Sequence, residues 1–600
     1  MNGSRVVALW VLLSVAWVQP MRGSAAERAG RDKQLVQREA AFLPLGVYWA
    51  GEYTFNEQKD PQVRWGMIDK ALDDLAKHNV NSVWLTHMSA KDSAEFAGHA
   101  VRRGIFLVAS IGELAGEVDH VRKSDHRALI ARTLQAWGDA PPPIAWGLGD
   151  EPRTAYMDEM KSYVKAWRTY APGEPLTTVV MWGDVAAGAK AGFDMLCVDP
   201  YPFFSAGNPN SFGVPPFVAW EQVARNLVKR VQVPWMMGQA YEEPWGPYEL
   251  DEKGSIIYLP GGAPHWVMPT PAQIRWQAWS AFANGAKGMF YFHYRMHGGG
   301  NPNAPPAKLP AAAKQRTDSH TPRALVYDDG GPTPQYEAMG EVFGEIRQTA
   351  ALLAPLKPVA AQEAWLEKAP PGTELRMLIH PQTQTRYLLV LGPYSGEGKQ
   401  DVVVTLGPNV TSLKNARTGA SALLTLSSPC RQLELALTPA QAEIFECVVD
   451  KDNLPQAYSD DFATEKFRTE ALNGKEARVA RYETASGCVL SAADGALTAD
   501  AAFVVYDLEK LLEPLERDGF RLLVYHGTCN PQDVRGAFWS VSADGQSFRK
   551  LSSNEFGKPV MLFRPERYLK VGLSWCQAGD PSGYGCLTEF SLCQWKRPAK

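Results

Sequence analysis

Eight short apolar runs recur between residues 43 and about 350: "LPLGVYWAGE", "NSVWLTHM", "GIFLVASIGE", "PIAWGLGDE", "PLTTVVMWGD", "DMLCVDPYPF", "VPWMMGQAYEE" and "KGMFYFHYR". Stretches with apolar residues three and four apart separate them: Val63 to Lys77, Ser93 to Arg103, His126 to Trp137, Tyr156 to Tyr170, Val218 to Val231 and Pro271 to Asn284, with a last one near Gln335 to Leu353. Continuous apolar runs predict strands buried on both faces, and helical crossovers predict parallel neighbours. Eight such units in about 300 residues predict a (β/α)8 TIM barrel. An open doubly wound sheet is the alternative, but no GxGxxG fingerprint follows an early strand.

The barrel is expected over residues 27–354, which leaves much of a 600-residue chain for other cores. Short alternating runs such as "LRMLIH", "RYLLVLG" and "LELALT" predict an antiparallel β-sandwich over 355–450. Residues 451–460 read as a linker. From 461 to 600, "FRLLVYHG", "RYLKVGLSW" and the turn "SADGQSF" predict a second, jelly-roll-like β-sandwich, similar to carbohydrate-binding or discoidin-like modules. Residues 297 to 330 are rich in Gly, Pro and Ala and read as a loop over the barrel mouth. Residues 1–26 read as an export signal, with Arg5 ahead of "VVALWVLLSVAWV" and a small-residue "GSAA" site. The mature protein is therefore expected outside the cytoplasm, secreted or periplasmic, with no membrane span after signal cleavage.

A formal charge of −4 without basic clusters argues against a nucleic-acid partner. The chain has no CxxC or HExxH and only 11 scattered His, so no metal site and no cofactor are expected. Seven of eight cysteines lie beyond residue 400, and Cys430 with Cys447, flanking one hairpin-like segment, is the preferred disulfide pair.

In a barrel, chemistry sits where strands end and βα loops begin. The run ends carry Tyr48, Trp49 and Glu52; Thr86 and His87; Glu113; Asp150 and Glu151; Trp182 and Asp184; Asp199 and Tyr201; Gln239, Tyr241, Glu242 and Glu243; His293, Tyr294 and Arg295. Acids, aromatics and amides converging on one rim suit a carbohydrate cleft better than a phosphate site. Trp49, Trp182 and Trp245 are candidate stacking walls, and core packing is an equal alternative for each. Along the fourth run Glu151 shares parity with Ala145, Gly147 and Gly149 and so points to the barrel axis, whereas Asp150 shares parity with Trp146 and Leu148. Pro152 stops the strand and frees Asp150 to turn the same way; alternatively Asp150 caps the next helix.

The "GDEP" of residues 149–152 resembles (β/α)8 glycoside hydrolases of clan A, whose strand four ends in Asn-Glu, often followed by Pro, with the Glu as general acid/base and a second Glu on strand seven as nucleophile. Here Asp150 stands in place of the Asn. The adjacent Asp-Glu pair is similar to the N-acetylhexosaminidases of families 20 and 123, in which the Glu protonates the leaving oxygen and the Asp orients the substrate's acetamido group. The resemblance implies Glu151 as general acid/base, Asp150 as its partner and, if strand seven runs on to Tyr241, Glu242 as nucleophile. If that strand stops at Gln239, then Asp150, Asp184 or Asp199 supplies the other carboxylate. Tyr48, Trp49, His87, Trp182, Asp199, Tyr201, Gln239, Tyr241, His293 and Tyr294 are the expected substrate-binding residues. The expected function is a secreted glycoside hydrolase of oligo- or polysaccharides; the alternative is a non-catalytic carbohydrate-binding or adhesion protein on a degenerate barrel.

Overall fold

The computed structural model describes residues 42–600 apart from 51–57, 112–124, 209–214, 251–255, 296–314, 317–322, 328–329, 360–362, 428–429, 461–466, 474, 476–478, 485–486, 493–501, 515–519, 526–536, 552–559, 564–565, 574–589 and 596–600. The expected export signal, Glu52, Glu113 and most of the 297–330 loop lie outside the described residues.

Eight parallel strands close into a barrel: β1 (Leu45–Ala50), β2 (Ser82–Met88), β3 (Phe106–Ile111), β4 (Ala145–Asp150), β5 (Leu176–Val180), β6 (Met195–Val198), β7 (Val233–Gln239) and β8 (Gly288–Phe292), with β8 pairing back to β1. Helices α1 (Pro61–Lys77), α2 (Ala90–Val101), α3 (His126–Trp137), α4 (Met157–Tyr170), α5 (Val185–Lys190), α6 (Pro216–Arg230), α7 (Pro271–Ala283) and α8 (Pro334–Leu353) follow the strands in turn. Their starts are written in the sequence: Asp60, Thr270 and Thr333 each cap a helix with a side-chain oxygen, and a proline follows each. The fifth crossover, α5, has six residues, too few for a helical period to show.

Two apolar populations hold the barrel. Outward residues such as Trp49, Trp146, Leu148 and Tyr291 pack under the helices, while Trp84, Trp235, Met237 and Phe290 fill the axis. Trp84 fits because β4 is small there: a Cβ on Gly147 would lie 1.9 Å from Ser110 Oγ, the group that accepts the Trp84 indole N–H at 3.0 Å.

A two-sheet sandwich follows. One sheet runs β9 (Lys357–Pro358), β11 (Glu374–Ile379), β12 (Arg386–Leu391), β17 (Ala442–Val449), β14 (Val410–Asn415); the other runs β10 (Ala364–Lys368), β13 (Gln400–Leu406), β16 (Cys430–Leu437), β15 (Leu424–Ser427). Its junction with the barrel is polar and buried. Ser280 donates to Glu374 Oε1 at 2.6 Å, Asn284 donates to Glu374 Oε2 at 3.3 Å and accepts from Arg376 Nε at 2.9 Å, and Arg376 also pairs with Glu221.

Cys430 and Cys447 are both free and buried, against the expected disulfide. The hairpin between β16 and β17 crosses from one sheet to the other, so the two thiols diverge. Cys447 enters the sandwich core, and Cys430 sits in a separate cluster with Trp365, Leu522, Cys593 and Trp595. The third domain is again antiparallel, with strands Gln456–Asp460, Phe590–Trp595, Phe520–Tyr525 and Val560–Phe563 in one sheet and Ala502–Asp507, Tyr568–Leu573, Ala537–Ser542 and Arg549–Lys550 in another. The expected 451–460 linker is corrected here: Gln456–Asp460 is a strand paired to Phe590–Trp595, held because Tyr458 packs on Tyr506 and Phe590.

Candidate active site

The floor of the barrel mouth is built by the end of β4. Alternation alone would send Asp150 outward with Trp146 and Leu148. The strand carries one extra residue between Gly147 and Asp150 relative to β5, so Asp150 comes opposite Val179, which faces the axis. Such a bulge re-aims a side chain. Glu151 then takes φ +46°, in the left-handed region, and turns its carboxyl into the same space. The same device recurs at the end of β2, where the register shifts between Leu85 and Met88 and His87 has φ +56°. After β6, Tyr201 has φ +36°. Left-handed backbone at residues other than glycine is strained, and three instances on one rim mark a place where side-chain direction matters more than backbone comfort. Asp150 caps no helix, since α4 begins at Met157 after the turn Thr154–Tyr156.

Three carboxyls meet here. Asp150 is open to the cleft yet closely surrounded by protein, and its Oδ2 accepts from the Tyr48 hydroxyl at 3.1 Å. Burial, then the Glu151 carboxylate, push its pKa up to about 6. Asp199 is 5 % exposed and hydrogen-bonds Glu151; burial, followed by that neighbour, holds it well above the usual carboxylate range. Each extra negative charge in so confined a place raises the cost of the next, so protons are retained. Tyr48, Tyr201 and Tyr241 stand around the acids with their phenols held protonated, first by burial and then by nearby acidic groups: Asp150 for Tyr48, Asp199 for Tyr201 and Glu243 for Tyr241.

Not every expected residue joins this floor. β7 stops at Gln239, whose side chain is wholly buried, accepts from Phe203 N at 2.9 Å and donates to Val267 O at 2.8 Å. It fastens the loops after β6 and β7. Glu242 lies apart from the three acids: its carboxylate sits 3.5 Å from the Arg323 guanidinium, lining a separate cavity of about 410 Å³ with Met268, Tyr327 and Gln335. Burial raises its pKa, and Arg323 acts against that. Trp49 and Tyr294 turn outward and pack on each other, and Trp182 packs against the same barrel–helix core. His293 is buried beside Phe292, and its carbonyl accepts from Leu325 N.

Of the three tryptophans expected as stacking walls, Trp245 is the one that stands in an aromatic wall. Trp245, 45 % exposed, stacks at 3.6 Å on His265, and the neighbouring Trp266 packs against Tyr201 and Tyr241. The strands Glu243–Trp245 and Ala263–Trp266 pair to carry this wall out of the β7–α7 loop. Trp266 was not expected, because "GGAPHW" reads as a turn with no strand period. The assembly offers proton donors and acceptors at its base and a flat apolar face above, the arrangement that holds a sugar ring and protonates an oxygen on it.

No protein-family model matches the chain, and no curated protein matches it. Among solved structures, the chain is similar to a GH42 β-galactosidase from G. stearothermophilus (9 % identity, covering 68 % of this chain and 98 % of that one, TM-score 0.43). It is also similar to an α-amylase from Geobacillus thermoleovorans (11 %, 64 % and 92 %, TM-score 0.38) and to GH5_18 from Bifidobacterium longum (12 %, 51 % and 79 %, TM-score 0.35). With every one of these TM-scores below 0.5, the fold rests on the chain's own closed strand order, and any function rests on the floor of its cleft.

Proposed function

We propose that this chain is a secreted glycoside hydrolase that cleaves O-glycosidic bonds of an oligo- or polysaccharide, with Glu151 as general acid/base and Asp150 assisting it. The observation that carries the reading is the end of β4, where a bulge and a left-handed residue bring two adjacent acids into one cleft. A chain gains nothing in stability from confining like charges; a glycosidase needs a carboxyl that keeps its proton near neutral pH. Asp199, hydrogen-bonded to Glu151, holds that carboxyl in place and shares its charge. The Trp245–His265–Trp266 wall stacks on the sugar.

Glu151→Gln keeps the shape and removes the proton transfer, so on an accepted aryl glycoside kcat/KM should fall by about 10²–10⁴-fold. Turnover within twofold of the parent would discard the assignment. A second reading, a sugar-binding barrel without turnover, draws on Gln239, which leaves the end of β7 without a carboxylate. Calorimetric binding of sugars with no hydrolysis across a broad panel of aryl glycosides would favour it.

A further inference from the structure

The charge balance of the floor is unusual. The strongest charges acting on Asp150 and Asp199 are other carboxylates, and the one base among them is His87. Around these acids stand Tyr48 from β1, His87 from β2, Tyr201 after β6, and Tyr241 and Glu243 after β7. None of these groups brings a permanent positive charge. A second observation points to a ligand. Asp199 is enclosed, yet its Oδ1 has no hydrogen-bond partner among the described residues. A buried carboxyl oxygen is ordinarily satisfied. Among the described residues, no group of three or more His, Cys, Asp or Glu side chains is placed to hold a metal ion.

We infer that the cleft takes a sugar bearing a protonated amine, with the ammonium seated on Asp150 and Asp199 and Glu151 left to its acid/base role. This rests on the cleft being a carbohydrate site. An ammonium brings three donors and one positive charge, which matches two neighbouring carboxyls, one of them with an unfilled acceptor. A neutral sugar supplies positive charge only fleetingly, as its glycosidic bond breaks, whereas an amino sugar supplies it on binding. The site holds protons in place of that charge, so the amine displaces them. Asp150, with a pKa of about 6, is one group that would release its proton.

The test is calorimetry on the full chain at pH 5 to 7, in buffers of differing ionisation enthalpy. D-Glucosamine, D-galactosamine and 6-amino-6-deoxy-D-glucose are compared with D-glucose, D-galactose and N-acetyl-D-glucosamine. At least one amine should bind roughly tenfold or more tightly than its neutral counterpart, since charge-assisted hydrogen bonds are about twice as strong as neutral ones. Its binding should release protons, and Asp199→Asn should erase the preference. Where Asp199→Asn fails to fold by circular dichroism, Asp150→Asn carries the same comparison and should reduce both the preference and the proton release. Amines that bind no tighter than the neutral sugars, a preference for the acetylated sugar, or an amine preference undiminished in the folded variants would each overturn the inference. Aryl glycosides separate this from the hydrolase reading: cleavage of neutral glycosides without amine preference sinks the inference alone, and amine binding without cleavage of any glycoside sinks the hydrolase alone.

Discussion

At the scale of single residues, Asp150 costs stability for the sake of position. Its carboxyl is pushed up to about 6 from an ordinary value near 3.8. A carboxyl whose pKa is raised on folding favours the folded state while it is protonated, and that contribution is lost as pH rises through the folded value. Asp150→Asn should therefore melt higher than the parent at pH 8, where the parent's acid is ionised, and no higher at pH 4, where both side chains are neutral. Thermal melts at the two pH values check this; an equal gain at both would mean that charge is not the cause. The direction of Asp150 was legible only in part: strict alternation assigns it to the outer face with Trp146 and Leu148, and the stop at Pro152 leaves it free to turn inward without saying that it does. The extra residue that flips it is visible only in the register against β5. Glu151 is expected inward by parity with Ala145, Gly147 and Gly149, yet the extra residue turns Gly149 toward Met160 on α4, and the left-handed backbone at Glu151 is what brings its carboxyl back.

At the scale of elements, the end of β7 shows what a sequence pattern hides. Gln239 stands where a carboxylate nucleophile would be sought, yet its amide is fully used: its oxygen accepts from Phe203 N, and its nitrogen donates to Phe203 O at 3.2 Å and to Val267 O at 2.8 Å. Gln239→Glu would set a carboxylate against two buried carbonyl oxygens without a donor for either. Such a substitution should cost about 1–3 kcal/mol or more and should create no nucleophile. Chemical denaturation measures the first expectation and aryl-glycoside assays the second; a stable and more active variant would contradict the structural role. The strands themselves were legible because burial on both faces leaves long apolar runs; the caps at Asp60, Thr270 and Thr333 are local signals that apolar periodicity passes over, so the first helix is expected from Val63 and begins at Pro61. Of the aromatic wall, Trp245 was legible as a candidate and Trp266 was not. The wall depends on the pairing of Ala263–Trp266 with Glu243–Trp245, two short segments whose contact has no period to read.

At the scale of the whole molecule, the barrel and the sandwich are joined through buried charge. Glu374 accepts from Ser280 and Asn284 on α7, and Arg376 bridges Asn284 to Glu221 on α6. Burial pushes Glu374 up to about 7, with Arg376 pulling the other way and Glu221 adding to the rise. The junction was invisible in the sequence, where Glu374 and Arg376 look like the polar face of a solvent-exposed strand. Their partners lie about 90 residues away on α7. Removing one member of a buried ionic cluster usually costs more than the cluster is worth, because the remaining charges stay buried without compensation. Arg376→Met should accordingly destabilise the barrel–sandwich unit by about 3–5 kcal/mol and split its calorimetric unfolding into two transitions. Adding Glu374→Gln should recover part of that loss, because the acid left without its cation is then neutral. Losing Arg376 raises Glu374 further, so the recovery should grow as pH rises above the ordinary carboxylate range, where keeping the buried acid neutral costs more, and should vanish at low pH, where it is protonated folded or unfolded. A double variant no more stable than Arg376→Met at pH 8 would show that the junction is held by apolar packing, with Trp276 and Tyr394 among its contacts, and that the charges are incidental to it.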